Sequence, residues 1–265
     1  MMHVRRTPLV WFTLVWHVAA LVILVWQPGL WRWVVAALVL NHAVLTLAGL
    51  LPRCKLLGSN WTRLPAAAAA RGEVALTIDD GPDPLVTPLV LDLLDQHAAR
   101  ATFFCIGNQA ALYPDLCREI VRRGHAIENH SQQHRHSFSL LGTRKLLHEL
   151  QAAQDSLGRL SGTAPRFFRA PAGLRNPFLD PVLQRLGLQL ASWTRRGFDT
   201  RNGNAAAVAR TLIRGLRAGD ILLLHDRHAA VTPQGVPVIL EVLPLLLAAI
   251  QAAHLKPVTL RSALQ

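Results

Sequence analysis

Two apolar stretches without a charged side chain, Leu9 to Trp26 and Trp33 to Leu51, come first along this chain. Each holds roughly 18 or 19 residues, the length that crosses a bilayer core at 1.5 Å rise per residue. Gln27-Pro28-Gly29 interrupts them, and Trp11, Trp26, Trp31 and Trp33 stand near the candidate interfaces, so the pattern predicts a transmembrane helical hairpin within residues 1–65. A cleaved signal peptide competes for the first stretch, because Arg5 and Arg6 precede it; no small-x-small site follows, and the second stretch begins almost at once. His17, Asn41 and His42 within the stretches read as groups that hydrogen-bond from helix to helix.

Pro65, five alanines and Arg71-Gly72 form a small-residue joint, and beyond it the pattern changes. Val74 to Ile78, Ala101 to Cys105, Ala126 to Glu128, Phe167 to Arg169, Gln189 to Trp193, Ile221 to Leu224 and Lys256 to Thr259 are short apolar runs suited to buried strands. Helical patterns separate them: Thr87 to Gln96, Ala111 to Arg123, Thr143 to Leu160, Pro181 to Leu186, Ala205 to Leu216 and Val236 to Ala253. This alternation predicts an α/β fold, a parallel sheet with helices outside, and about seven strands fit a deformed, incomplete (β/α) barrel. Asp79, Asp80, Glu128, Arg169, Trp193 and His225 all fall at or just past the C-terminal end of a predicted strand, the end that carries chemistry in α/β barrels.

Composition adds to the membrane reading and removes other classes. Hydrophobic residues make up 51% of the chain, more than a soluble domain needs, and the excess sits in the two apolar stretches. The net charge of +12 divides evenly between residues 1–65, with six basic residues and no acid, and the remainder, with 22 basic against 16 acidic residues. No basic patch is interleaved with aromatics and only one Tyr is present, so nucleic acid is not an expected partner. The basic residues beside the spans suit anionic lipid headgroups instead. Cys54, Cys105 and Cys117 cannot all pair and contain no C-x-x-C, so they read as thiols and predict neither a disulfide framework nor a structural zinc site.

Five segments carry the chemistry: Thr77-Ile78-Asp79-Asp80-Gly81-Pro82, His130-Ser131-Gln132-Gln133-His134, Arg169-Ala170-Pro171-Ala172-Gly173, Trp193 through Asp199, and Ile221-Leu222-Leu223-Leu224-His225. His130 and His134 are four apart, which on a helical turn puts both rings on one face, and Asp80 can supply an oxygen from a facing strand end. Two histidines and one carboxylate leave positions open for water and substrate; they suit Zn²⁺ and also admit Co²⁺, Ni²⁺ or Mn²⁺. Among the 12 histidines, His136, His148, His228 and His254 read as incidental surface residues, and Asp226 as a solvent or turn carboxylate.

Taken together and in this order, the segments resemble the five motifs of the polysaccharide deacetylase family, the carbohydrate esterases with a NodB homology domain. The resemblance covers roughly residues 73–261 and implies a NodB-type deformed barrel there. It implies that Asp79 is the general base, that Arg169 pairs with it as a bidentate partner, and that His225, held by Asp199, protonates the leaving amine. It also implies an oxyanion donor in the backbone N–H of Ala172 and an acyl pocket walled by Trp193 and Leu223. Two positions depart from the pattern: Ala172 stands where most members carry an aromatic residue, and Thr200 where they carry Trp.

The expected activity is therefore hydrolysis of an acyl group, N-acetyl from an amino sugar of a glycan or lipid-linked glycan, with O-deacetylation of an esterified glycan as the alternative. An inactive carbohydrate-binding module on the same fold is the rival from another class; retention of Asp79, Asp80, His130, His134 and His225 together argues against it. Arg5 and Arg6 precede the first span, Arg53, Lys55 and Arg63 follow the second, and only Arg32 lies in the turn. The positive-inside rule then expects a multi-pass inner-membrane protein whose catalytic part faces the cytoplasm, beside lipid-linked sugars rather than exported polymer.

Overall fold

The computed structural model describes residues 5–265. Helices α1 (Pro8–Trp26) and α2 (Trp31–Leu50) come first and pack on each other as an antiparallel pair. Both are long and apolar enough to cross a membrane, and only 6% and 22% of their apolar windows are buried, unlike the core helices of a soluble protein. Of the polar groups expected to bridge the pair, Asn41 does so, its Nδ2 donating to Thr13 Oγ1 at 3.2 Å. The two histidines instead bond the carbonyl four residues back on their own helices and meet edge to face at 5.1 Å.

The rest of the chain runs α3 (Ala66–Ala70), β1 (Glu73–Asp79), α4 (Thr87–Gln96), β2 (Thr102–Cys105), α5 (Gly107–Leu112), α6 (Pro114–Arg122), β3 (Ala126–Asn129), α7 (Thr143–Ser161), β4 (Phe167–Phe168), α8 (Leu179–Leu186), β5 (Gln189–Leu190), β6 (Arg195–Arg196), α9 (Ala205–Ile213), β7 (Ile221–His225), α10 (Val238–Ala252) and β8 (Lys256–Val258). The expected strands appear at each place, several of them shorter than their apolar runs. The single helix expected over residues 111–123 is two, because Pro114 supplies no N–H to continue the first and opens the second. The alanine joint is a short helix, α3.

All strand pairs are parallel, in the order β5-β4-β3-β2-β1-β7-β6, with β8 pairing the first residues of β1. The outermost strands, β5 and β6, are separated by only Ala191 to Thr194 along the chain. One segment therefore forms both edges, and the sheet must curl into a barrel to let it do so. Trp61 lies beside this seam, donating from its N–H to Leu190 and accepting from Ser192 N–H.

The period of two along the central strands sorts outside from inside. Val74, Leu76, Ile78, Leu222 and Leu224 join the main core under α4, α9 and α10. Their alternates Ala75 and Ile221 pack inside with Phe104 and Phe167, and the same inward register leads to Thr77, Asp79, Leu223 and His225. The strands thus bring apolar layers to the lower barrel and ionisable groups to its C-terminal mouth.

Glu128, placed by its strand at that same end, turns away from the chemistry. Its carboxylate accepts from the N–H groups of Arg166 and Phe167 at 2.7 and 2.8 Å and from Arg261 Nε at 2.5 Å. Burial drives its pKa up more than these partners hold it down. Removing Arg261 leaves that buried carboxylate without its cation, so Arg261→Ala should lower the unfolding free energy by about 3 kcal/mol. Adding Glu128→Gln should return part of the loss, as measured by denaturation of the detergent-solubilised chain; equal stability of wild type and Arg261→Ala would show that the pair contributes nothing.

Candidate active site

A cleft of about 530 Å³ opens at the C-terminal mouth of the barrel, lined by Asp79, Asp80, His130, His134, Ala172, Trp193, Leu223 and His225 among others. All five motif segments meet there. Asp79 and His225 are Cα partners on the neighbouring strands β1 and β7, which fixes their separation through backbone pairing alone.

Adjacent aspartates point to different places because the backbone changes hand between them. Asp79 is the last strand residue, whereas Asp80 takes φ of 77°, a left-handed conformation that side chains with a Cβ rarely adopt. Ser131, His134, Ala172 and His228, with φ of 66°, 51°, 53° and 61°, add to this concentration of strained backbone at the cleft.

His130 and His134 do not share a helical turn. Strand β3 ends at Asn129, and the histidines sit on a loop shaped by side-chain hydrogen bonds: Ser131 N–H donates to Asn129 Oδ1 at 2.8 Å, and His134 N–H to Ser131 Oγ at 3.0 Å. Such local bonds from Asn and Ser compete with helix and here replace it. The rings still converge, their centroids 4.7 Å apart.

Asp80 Oδ1 lies 3.2 Å from Nε2 of both His130 and His134, and one ligand atom from each of the three falls within 4.8 Å of the others. His130 Nδ1 is 2.8 Å from the carbonyl oxygen of Arg169, which can only accept, so the ring proton sits on Nδ1 and Nε2 presents a lone pair to the cleft. Burial above all pushes the His134 pKa down to about 4, which favours the neutral ring. Two nitrogen lone pairs and a carboxylate oxygen facing one another fit a divalent cation of borderline softness.

Arg169, only 1% exposed, spans the barrel interior. Nη1 donates to Asp79 Oδ1 at 2.6 Å and Thr77 Oγ1 at 2.8 Å, Nη2 to the Ser192 carbonyl at 2.8 Å and Nε to the Ala191 carbonyl at 3.1 Å, with the Phe104 ring 4.1 Å beneath. The expected pairing with Asp79 is present but single-pronged, since the other nitrogens are committed to the seam. That leaves Asp79 Oδ2 free of the guanidinium and 3.9 Å from His130 Nε2.

Asp199, fully buried, receives the backbone N–H of His225 at 2.7 Å and its Nδ1–H at 2.9 Å. Burial alone would lower the His225 pKa, but the bond and charge of Asp199, with Asp79 and Asp80 beyond, raise it. Nε2 is left to the cleft. Trp193 and Leu223 wall the same space, and Gly173 is required beside Trp193: a Cβ there would sit 2.6 Å from the indole and 2.7 Å from Pro52.

Several residues at the cleft carried no signal in the sequence. His228, three past His225, brings Nδ1 within 3.2 Å of Asp80 Oδ2, and His136, Asn108, Gln109 and Arg196 complete the rim. Asp226, expected in solvent or a turn, is buried instead. It accepts from Thr87 Oγ1 at 2.5 Å and from Arg227 N–H at 2.7 Å, and burial above all pushes its pKa up to about 7. A Cβ at Gly81 would collide with both oxygens of this carboxylate, so Asp226 packs directly against the turn that follows Asp80. The three cysteines are free thiols, Cys105 and Cys117 buried and Cys54 partly so.

Comparison with known proteins bears on the family and the fold. The polysaccharide deacetylase family model matches residues 66–191, a stretch that ends ahead of Trp193, Asp199 and His225. A peptidoglycan-N-acetylglucosamine deacetylase of Bacillus cereus is 35% identical over 155 residues, 58% of this chain and 72% of the relative. A chitooligosaccharide deacetylase of Azorhizobium caulinodans is 34% identical over 157 residues, 59% of this chain and 74% of the relative. Among solved structures, the family 4 carbohydrate esterase of Streptomyces lividans in complex with acetate superposes with a TM-score of 0.64 at 31% identity, covering 70% of this chain and 91% of the esterase. With the family's motifs gathered at one barrel mouth and relatives of this coverage, the chain belongs to the polysaccharide deacetylases, hydrolases of carbon–nitrogen bonds outside peptides.

Proposed function

We propose that residues 73–261 form a metal-dependent deacetylase that removes N-acetyl from an amino sugar of a glycan or lipid-linked glycan, and that residues 1–65 anchor it in the membrane. One observation carries the reading: Asp79 and His225 face each other in strand register, each steadied by its own buried partner of opposite charge, beside the Asp80, His130 and His134 cluster.

Asp80, His130 and His134 would hold the cation, Zn²⁺ by donor type, with Co²⁺, Ni²⁺ or Mn²⁺ also compatible. When bound, it supplies Lewis acidity for the acyl oxygen and for water. Asp79 Oδ2 accepts the proton of the attacking water, while Arg169 holds the carboxylate in direction through Oδ1. His225 Nε2 returns a proton to the departing sugar nitrogen, with Asp199 fixing the tautomer through Nδ1. The Ala172 N–H faces the oxygen on which charge develops, and Trp193 and Leu223 shape the space for the acyl methyl.

Acetate release from N-acetylglucosamine oligomers by the purified full chain, with and without chelator, is the direct test; activity confined to O-acetylated glycans would favour the ester linkage instead. His134→Ala should lose both bound metal, measured by elemental analysis, and hydrolysis while keeping the melting temperature of the chelator-treated wild type. Asp79→Asn should retain metal and lose about 10²–10⁴-fold in turnover. Metal loss in Asp79→Asn would mean that the two aspartates have exchanged roles.

The pH profile separates acid from base. Asp199 raises the His225 pKa, so an amide at 199 lets His225 lose its proton at lower pH. In Asp199→Asn the basic limb of kcat/KM should move to lower pH while the acidic limb stays, and an unmoved basic limb would assign the acid elsewhere.

The distribution of basic residues around the spans supports a cytoplasmic face for the catalytic part. A C-terminal fluorescent-protein fusion should be bright and an alkaline phosphatase fusion silent; the opposite pair would put the site outside, before an exported polymer.

A further inference from the structure

A second cavity, a groove of about 470 Å³, lies between the hairpin and the barrel. Val10, Leu14, Leu45 and Leu50 form one wall, and Leu140 and Phe178, 84% and 52% exposed, form the other. Groove and active-site cleft are consecutive along the chain. Ala172 and Gly173 line the cleft and Leu174 and Arg175 the groove; likewise His136 lines the cleft, and Ser139 and Leu140 the groove.

The hairpin is docked rather than tethered at this point. The Arg175 N–H donates to the Gly49 carbonyl at 3.1 Å, and any side chain at 49 would strike the Arg175 backbone. The Pro52 carbonyl accepts from Ser192 Oγ at 2.6 Å, and Arg53 Nη1 donates to the Thr194 carbonyl at 3.2 Å. The end of α2 is therefore held against the loop that carries the candidate oxyanion donor, which brings the cleft to the surface of whatever membrane the hairpin crosses.

Arg175 gives the groove a polar end. It is buried, its Nη2 donates to the Cys54 carbonyl, and its Nε has no partner. No carboxylate forms an ion pair with it among the described residues; the nearby Asp180 places Oδ2 on Gln184 at 2.6 Å. A buried guanidinium without an ion-pair partner, next to apolar walls and between a lipid-facing helix pair and a sugar-hydrolysing cleft, is complementary to an anionic linker followed by a hydrocarbon chain.

Resting on the deacetylase reading above, we propose that the groove takes the lipid of the substrate: an acylated amino sugar joined through phosphate to a long hydrocarbon, with the sugar in the cleft, the phosphate at Arg175 and the first part of the chain between α1, α2, Leu140 and Phe178. The chain gains little on leaving the bilayer, since lipid tails are as apolar as leucine. What the groove supplies is alignment of the sugar with Asp79 and His225.

The test uses the full chain in nanodiscs and two probes, N-acetylglucosaminyl polyprenyl diphosphate and water-soluble tri-N-acetylchitotriose. Leu45→Trp and Thr46→Trp fill the groove from α2, away from every residue assigned to hydrolysis. Both should lower kcat/KM on the lipid probe by about tenfold or more, as expected for a misplaced reacting group, and leave the soluble probe within about twofold. A diazirine in the polyprenyl chain should crosslink to peptides containing Leu14 or Leu45 in wild type and lose that label in the variants. Unchanged lipid-probe kinetics together with crosslinks outside the groove overturn the assignment and leave the deacetylase reading standing, because the soluble probe is still cleaved. Failure of wild type to cleave either probe overturns both.

Discussion

The position of Arg169 governs the rest of this structure. A guanidinium inside a barrel is costly unless every donor is used, and here the bonds to Asp79, Thr77, Ala191 and Ser192 use it in three directions at once. The side chain joins β1, β4 and the seam, and its own carbonyl orients His130. A single residue thus sets the direction of the candidate base and the tautomer of a candidate metal ligand. Burial lowers its pKa and the Asp79 carboxylate opposes that shift, which ties the charge of the guanidinium to the candidate base it holds.

The two halves of the site are built in the same way from unlike parts. On one side a carboxylate faces the cleft and a cation holds it from behind; on the other an imidazole faces the cleft and the Asp199 carboxylate holds it. Each pair fixes the direction of its front group, and the parallel pairing of β1 with β7 sets the gap between them. The cluster of Asp80, His130 and His134 sits on irregular backbone beside these regular strands. The strained residues lie between the regular elements, while the spacing of Asp79 and His225 rests on backbone hydrogen bonds.

Much of this was legible in the sequence because it depends on local pattern. Strand alternation placed Asp79, Arg169 and His225 at the barrel mouth, and the motif order brought His130, His134 and Asp199 with them. What was not legible depended on contacts between distant segments. The four-residue spacing of the histidines suggests a helix, and nothing in the spacing reveals that Asn129 and Ser131 cap the loop into another shape. Glu128 shares its strand end with the catalytic candidates yet belongs to Arg261, 133 residues away. Asp226 follows a motif histidine, and its burial against Gly81 and Thr87 is a property of how β7 meets α4. His228 reaches Asp80 through a turn that no periodicity marks.

The seam formed by residues 189–196 has a further meaning. Two of the carbonyls that hold Arg169, those of Ala191 and Ser192, belong to the segment that closes the sheet, and Trp193, which lines the cleft, follows them directly. Were the seam to part, the guanidinium would lose two of its bonds and the cleft one of its walls in the same motion. Barrel closure and alignment of the site are therefore one cooperative event, so a chain that has folded only as far as an open sheet holds every motif residue and no working arrangement of them.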